Sequence, residues 1–247
     1  MRQALVTTPP LHAFLRLARW GAALVVIAWV PAALQAQAPS PEPASSSASS
    51  APSEAERLVF LHEHLGPTRQ PRVLRYVYVD ETAGKPRVSD KATVTLSADA
   101  RGHCCNAHAD YLSGALAVNL PEIPDARANP VLLYFLEGEV RLLQRTTAGQ
   151  AAHFRRRIRQ ALADTATVKD TTIRWGTRTL PARTVHLAPF VDDPFRARFQ
   201  EQATTEYSFV FSDAVPGGIY QASAVVPGPA AGAAPMSRRT LTIEETP

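Results

Sequence analysis

Both cysteines of this chain lie side by side in the hexapeptide HCCNAH, with a histidine on each flank. Cysteine thiolates and histidine imidazoles are the ligands that copper(I) and zinc favour in proteins. Four such side chains within six residues predict a candidate metal site formed by His103, Cys104, Cys105 and His108.

Two other interpretations of HCCNAH stay open. Adjacent cysteines have difficulty binding one metal ion in regular geometry, and their spacing differs from that of known Cys/His zinc sites. In an oxidising compartment the two thiols could instead pair with each other or with another chain. The simplest interpretation is a polar loop without a site, and we expect HCCNAH to lie in the connection that precedes a strand.

The rest of the chain offers little catalytic chemistry. It contains no G-x-S-x-G nucleophile motif, no P-loop and no G-x-G-x-x-G motif. Glu137 and Glu139 are expected on different faces of a helix, and the pair at 192–193 is better explained as a helix cap. His62 and His64 are expected at the surface. We therefore expect a non-enzymatic protein without a cofactor, with bound copper or zinc as the alternative.

The first 36 residues have the organisation of a secretory signal peptide. Arg2, Arg16 and Arg19 supply positive charge, and an apolar run at 20–30 follows them. That run of about eleven residues is shorter than the roughly 20 that span a bilayer. Small residues then lead to a predicted cleavage site after Ala36. We expect export to the periplasm, with no transmembrane span in the mature chain.

Residues 37–52 consist almost wholly of alanine, serine and proline. Such a segment cannot bury enough apolar surface to offset the entropy of ordering it, so we expect a disordered linker. The remaining residues, 53–247, are enough for one domain with a substantial core.

The charge balance argues against nucleic acid as a partner. The whole chain has 26 basic and 22 acidic side chains, and three of the basic ones lie in the predicted signal peptide. The mature chain would keep 23 basic against 22 acidic side chains, which is close to neutral. The basic run RRRIR at 155–159 is then better explained as the solvated face of a helix.

Patterns of period two predict most of the folded part as strands. Residues 72–79 and 87–97 alternate around a turn, and 111–120 is a third predicted strand. A capping box at Ser53 and Glu56 predicts a short helix before them. Later strands are predicted at 168–175, 177–187, 206–212, 219–226 and 238–244, and a second short helix at 195–203.

Two longer helices are predicted between these strands. Asn129 and Pro130 open the first, and Gly149 separates it from the second, AAHFRRRIRQALAD. The elements predict an α+β fold: a curved antiparallel sheet, able to form a half-open barrel, covered by a helical hairpin and two short helices. If an apolar cavity lies between sheet and hairpin, its candidate ligand-binding residues are Leu132, Phe135, Leu136 and Phe154.

Segments spread over residues 76–221 resemble exported proteobacterial proteins of uncharacterised function. They read YVYVDETAG, NPVLLYFLEGEVRLLQR, HFRRRIRQALA, DDPFRARF and YSFVFSDAVPGGIYQ. More distantly, the order of elements and the late VPGG turn are similar to the LolA-like superfamily. That resemblance implies a half-open β-barrel with a helical lid over an apolar cavity. It also implies a periplasmic carrier or scaffold whose partner is lipid or a lipidated protein. The linker and HCCNAH are not part of that pattern.

Overall fold

The computed structural model describes residues 51–66 and 72–245. The predicted signal peptide, residues 1–36, lies outside these ranges, as does the predicted linker, residues 37–52, apart from its last two residues. None of the helices within the described ranges is long and apolar enough to cross a bilayer.

Eight strands form one curved, open and antiparallel sheet, which confirms the predicted α+β fold class. The strands are β1 (Arg72–Thr82), β2 (Val88–Ala98), β3 (Cys104–Tyr111), β4 (Thr167–Trp175), β5 (Arg178–Leu187), β6 (Glu206–Phe211), β7 (Ile219–Val226) and β8 (Ser237–Ile243). Their order across the sheet is β3-β2-β1-β8-β7-β6-β5-β4. Strands that are adjacent in the sheet are also consecutive in the sequence, except for β1 and β8, whose pairing places the last strand in the middle of the sheet. The consecutive strands β3 and β4 form the two opposite edges.

The third strand is displaced from its predicted position. Residues 111–120 were expected to form it, and HCCNAH was expected in the preceding loop, but both predictions are wrong because β3 begins at Cys104. Small side chains at 105, 107 and 109 are buried there, and Ala and Asn are poor strand signals in a sequence. The more apolar segment after Tyr111 instead runs along the outer edge of β3 and pairs with it through Val118 and Ile123.

The helices largely follow their sequence patterns. The predicted capping box is confirmed, since Ser53 Oγ accepts from the amide of Glu56 and the carboxylate of Glu56 accepts from the amide of Ser53. The helices are α1 (Glu54–Glu56), which continues as a π-helical turn (Arg57–Leu61), α2 (Val131–Thr147) and α3 (Ala151–Asp164). The predicted late helix is two 3₁₀ turns, Arg196–Arg198 and Gln200–Thr204.

The hairpin of α2 and α3 packs on one face of the sheet, which we call the inner face. Apolar side chains alternate along the strands to reach that face, as expected for a sheet with one covered side. Leu143 from α2 and Ile158 from α3 join them in one core. Sheet residues of this core include Leu74, Tyr76, Tyr78, Val94, Leu96, Val185, Leu187, Phe209, Ala222 and Leu241.

Asn129 connects three elements of the fold at the start of α2. Its Oδ1 accepts from the amide of Val131 at 3.1 Å, in agreement with its predicted capping role. Its Nδ2 donates to the hydroxyl of Tyr76 at 2.8 Å and to the carbonyl of Gly217 at 2.9 Å. Because every polar atom of this buried side chain is bonded, Asn129 fixes the position of α2 relative to β1 and to the turn before β7.

Gly217 is required for this junction, and Gly84 provides a matched control. Both have φ of +74°, but a Cβ at Gly217 would lie 2.5 Å from Leu74 Cδ1 and 2.7 Å from Asn129 Nδ2, whereas one at Gly84 would meet nothing within 4 Å. We expect Gly84→Ala to lower the free energy of unfolding by about 1 kcal/mol. Gly217→Ala should lower the free energy of unfolding by about 3 kcal/mol, because the clash of the new Cβ with Leu74 and Asn129 adds to the backbone strain. Urea unfolding measures both, and equal losses would contradict this account.

Candidate functional site

A buried salt bridge joins α2 to the inner face of β8. Arg239 donates from Nε to Oε1 of Glu139 and from Nη2 to Oε2, both at 2.7 Å. Each side chain is only 4% exposed. The remaining Nη1 of Arg239 donates to Ser237 Oγ at 2.8 Å. The hairpin and the sheet are thus connected by a bidentate ionic contact inside a largely apolar interface.

The surroundings keep Arg239 charged. Burial by itself would lower the pKa of Arg239, but the adjacent carboxylate of Glu139 raises it above its usual value. Taking two charges out of water costs several kcal/mol, which their attraction repays only in good geometry. Either charge left alone would therefore destabilise the interface strongly.

The hydroxyl of Tyr207 is a second polar group at this place. Tyr207 on β6 pairs with Ala224 on β7, which pairs with Arg239 on β8, so all three lie in one row on the inner face. Its ring is fully buried, and its hydroxyl has no hydrogen-bond partner among the described residues. Burial raises the pKa of Tyr207, so the group remains a protonated donor. A buried donor without a partner is uncommon in native proteins.

A narrow cleft of about 40 Å³ reaches the salt bridge from the surface. It runs between α2, β1 and the segment that follows β3. Its inner lining includes Tyr78, Tyr111, Phe135 and Gly138, beside the Glu139–Arg239 pair. The other lining residues are Asp80, Leu112, Leu116, Arg141, Leu142 and Arg145.

Sequence reasoning missed this site although the signals were present. Glu139 follows Phe135 by four residues and Leu136 by three, so it lies on the apolar stripe of α2 rather than opposite to it. Arg239 likewise alternates with Leu241 on the buried face of β8. A charged residue on a buried stripe of one element is therefore a signal to search for its counterpart on another.

All four predicted ligand-binding residues lie in the main core. Leu132, Phe135 and Leu136 on α2 and Phe154 on α3 are all buried. Phe135 meets Phe209 edge-to-face, and Phe154 packs in the same way against Phe190 and Phe199. Their contact with a ligand stays a prediction, and it requires the hairpin to move away from the sheet.

The four predicted metal ligands lie in or next to an edge strand. The sulfur atoms of Cys104 and Cys105 are bonded to each other, with Cys105 buried on the inner face. His103 is 77% exposed beside Asp99, and His108 is 50% exposed beside Asp110. Within residues 51–66 and 72–245, no three His, Cys, Asp or Glu side chains cluster so as to hold a metal ion. Metal binding through HCCNAH therefore stays a prediction for the reduced protein.

His153 and Asp193 form a second buried polar group, beneath the start of α3. His153 Nε2 lies 2.7 Å from Asp193 Oδ2, and Asp193 Oδ1 accepts from the amide of Phe195, as a cap should. His153 Nδ1 lies 3.1 Å from Nη2 of Arg156 and must be its acceptor, since a guanidinium only donates. With both ring nitrogens engaged, this pair anchors α3 rather than activating a nucleophile.

His64 is buried, contrary to the expectation that it lies at the surface. It is 3% exposed and stacks on Phe211. The turn after the π-helical segment directs its ring inward, where Nε2 lies 2.9 Å from the carbonyl of Leu58 and Nδ1 accepts from the amide of Asn129 at 3.2 Å. Helical spacing alone did not predict this because the helix has already ended before His64.

His64 makes stability depend on pH. Burial, followed by repulsion from His62, lowers the pKa of His64 from 6.5 to about 4. The unfolded chain then binds more protons between these values, so stability is complete above pH 6.5 and falls as the pH drops towards 4. The loss should reach about 3 kcal/mol. We expect the free energy of unfolding of the wild type to approach that of His64→Gln as the pH is lowered from 7.5 to 4. The control His186→Gln, at an exposed site, should keep a constant difference from the wild type over this range.

The Glu139–Arg239 pair should behave as a buried ionic contact. We expect Glu139→Ala to lower the free energy of unfolding by about 3–5 kcal/mol, since it leaves Arg239 buried without a counter-charge. The double variant Glu139→Met with Arg239→Met should lie within about 1 kcal/mol of the wild type, because apolar replacement of a buried pair is often neutral. Glu137→Ala on the same helix should lower the free energy of unfolding by about 1 kcal/mol, since its partner Arg155 is half-exposed. Equal losses for both alanine variants, measured by urea unfolding, would contradict this view.

Comparison with known proteins leaves the family of this chain open. No family model matches the sequence, and no curated protein matches it. The crystal structure of the lipoprotein LppX from Mycobacterium tuberculosis is similar with a TM-score of 0.32 and 10% sequence identity, over 79% of this chain and 98% of that chain. A TM-score this low carries no argument about this chain, so the site has to be interpreted from its own geometry.

Proposed function

We propose that this chain is an exported, non-enzymatic binding protein that carries an apolar ligand between the sheet and the α2–α3 hairpin. The observation on which the proposal rests is the cleft beside the Glu139–Arg239 pair. The cleft opens from the surface where the hairpin meets the sheet, which gives a ligand a route into the interface. Lipid or the lipid group of a lipidated protein is the proposed cargo.

The chemistry of the interface supports an apolar ligand. Tyr78, Tyr111 and Phe135 line the cleft, and the inner face beyond it is covered with aliphatic and aromatic side chains. Ligand pockets are commonly lined in this way, with few polar groups that set orientation. Leu132, Leu136 and Phe154 would become the contacts of the ligand once the hairpin is displaced.

The size of the cleft requires a conformational change. A volume of about 40 Å³ holds little more than one water molecule, far below the roughly 300 Å³ of a small ligand site. Binding must therefore replace contacts between hairpin and sheet with contacts to the ligand. Since an apolar chain would cover the same surfaces that the hairpin covers, much of the lost burial is restored by the ligand.

The N-terminal sequence supports a periplasmic location. A cleaved signal peptide over residues 1–36 would release the chain, and the Ala/Ser/Pro linker would leave the domain free to move. The near-neutral mature chain supports a partner other than nucleic acid.

The local geometry also supports a binding rather than a catalytic role. The His153–Asp193 pair has its second ring nitrogen occupied by Arg156. Asp213, which lies 3.0 Å from His62 Nε2, is 73% exposed. A base for acyl transfer needs an adjacent hydroxyl or thiol, and the hydrogen bonds of these two pairs include none.

A cleft-filling variant tests the proposal. Gly138 lines the cleft, and a Cβ there would already be in van der Waals contact with Tyr111 Cε1 at 3.6 Å, so a large side chain at this position has to fill the cleft and block its entrance. We expect the mature wild-type protein to bind the neutral fluorescent probe N-phenyl-1-naphthylamine. Gly138→Trp should bind the probe at least about 10-fold more weakly, because the indole blocks the entrance of the cleft. Fluorescence titration measures both affinities.

Leu133 provides the matched control for this test. It lies on the same helix and is 49% exposed on the opposite side, so Leu133→Trp should leave probe affinity unchanged. Circular dichroism and thermal unfolding should show that all three proteins are folded. Absence of probe binding to the wild type, or equal binding to Gly138→Trp, would refute the proposed site.

A further inference from the structure

The polar groups inside the interface point to the chemistry of the ligand. An interface built only to hold or release an apolar chain has no need of a buried arginine and a free hydroxyl. Glu139 satisfies Arg239 in this structure, but Tyr207, two strands further along the row, has no hydrogen-bond partner among the described residues. The site therefore presents more donors than the protein itself uses.

We propose that the ligand is a long-chain carboxylate whose head group replaces Glu139 on Arg239 and accepts a further hydrogen bond from Tyr207. This inference rests on the proposed function, since it names the class of ligand that the same interface would carry.

The existing salt bridge shows which head group the guanidinium accommodates. The carboxylate of Glu139 meets Arg239 through two parallel hydrogen bonds of 2.7 Å, the planar arrangement that a fatty carboxylate would reproduce. Exchange of one carboxylate for another leaves the buried charge of Arg239 compensated throughout. The exchange is therefore much less costly than binding a neutral head group, which would leave that charge without a partner.

Tyr207 gives the exogenous carboxylate an advantage over Glu139. Glu139 is held by the backbone of α2, and in that position its oxygens leave the hydroxyl of Tyr207 unbonded. A carboxylate has about four acceptor positions, so a ligand that is free to shift along the row from Arg239 to Tyr207 can bond to both. The small side chain of Ala224 lies between them and leaves the row open.

The cleft presents an exposed cation to an incoming anion. Its lining includes the cations Arg141, Arg145 and Arg239 and the anions Asp80 and Glu139. Arg145 is exposed, so it meets a head group before the buried Arg239 does. Arg141 is paired with Glu137 and Arg239 with Glu139, so among the described cations of the lining it is Arg145 that can attract an anion from solution.

Displacement of Glu139 also explains how the hairpin would open. Among the described residues the pair is the ionic contact between α2 and β8, and its loss removes a bidentate link across the interface. A ligand that supplies its own carboxylate thus releases α2 while it fills the space beneath it. A ligand without one would have to break the same pair at the full cost of an isolated charge.

A matched pair of ligands tests the inference on the mature, delipidated protein. Palmitate and methyl palmitate share the same chain and differ in the charge of the head group. We expect palmitate to bind at least about 10-fold more tightly, as a charge-assisted bidentate contact should allow. Displacement of N-phenyl-1-naphthylamine and native mass spectrometry measure the two affinities.

Three variants separate the roles of the polar groups. In Glu139→Gln the internal competitor loses its charge, so palmitate should bind about 5-fold more tightly and keep its preference over the ester, because only palmitate supplies a counter-charge to Arg239. In Tyr207→Phe the preference for palmitate should fall about 3-fold. The double variant Glu139→Met with Arg239→Met should bind both ligands equally, and its fold is preserved because apolar side chains replace the pair.

The outcomes distinguish this inference from the proposed function. If palmitate and methyl palmitate bind the wild type equally well, the carboxylate site is refuted and the apolar carrier stands. If the preference for palmitate persists in the double methionine variant, the head group binds elsewhere and the inference is again overturned. If neither ligand nor the neutral probe binds, the proposed function itself fails, and the inference fails with it.

Discussion

The inner face of the sheet must be covered, and most other features of the structure follow from that constraint. Seven of the eight strands, all except β4, contribute buried side chains to the main core. An apolar surface of that extent is not stable in water, so the α2–α3 hairpin has to lie over it. Three features hold the hairpin over this face: β8 lies in the middle of the sheet, Asn129 caps α2, and Asp193 anchors α3.

Polar groups inside the covered interior divide into two kinds. Asn129, His64 and Asp193 have their hydrogen-bonding capacity filled by the protein, and each holds a helix or turn in place. The Glu139–Arg239 pair and Tyr207 differ, because they combine a charge, a cleft and a free hydroxyl in one row. The buried Nε of Arg157 also lacks a well-aligned hydrogen bond, but it lies 3.0 Å from the carboxylate of Asp193, whereas the hydroxyl of Tyr207 has no hydrogen-bond partner among the described residues. That difference is why we place ligand chemistry at the second group and not at the first.

Local patterns predicted those elements in which neighbouring residues carry the signal. The capping box at Ser53, the apolar stripe of α2 and the turns between paired strands each lie within a few residues of chain, and the structure has them. β3 was misplaced because three of its four inward side chains are Cys or Ala, which give a weak strand signal and are buried in the main core only once the fold has formed. His64 was misjudged for a similar reason, since its burial depends on Asn129, which lies 65 residues away.

By itself the sequence determined the fold class, the helical hairpin, the alternation that makes one face of the sheet apolar, and the two cysteines that stand next to each other. Those properties depend on periodicity and on adjacent residues. Only the tertiary structure decided that Glu139 meets Arg239, which lies 100 residues further along the chain, that Tyr207 lies in the same row, and that HCCNAH enters an edge strand at Cys104. Such contacts depend on which strands become neighbours, and strand order is set by packing of the whole sheet against its helices.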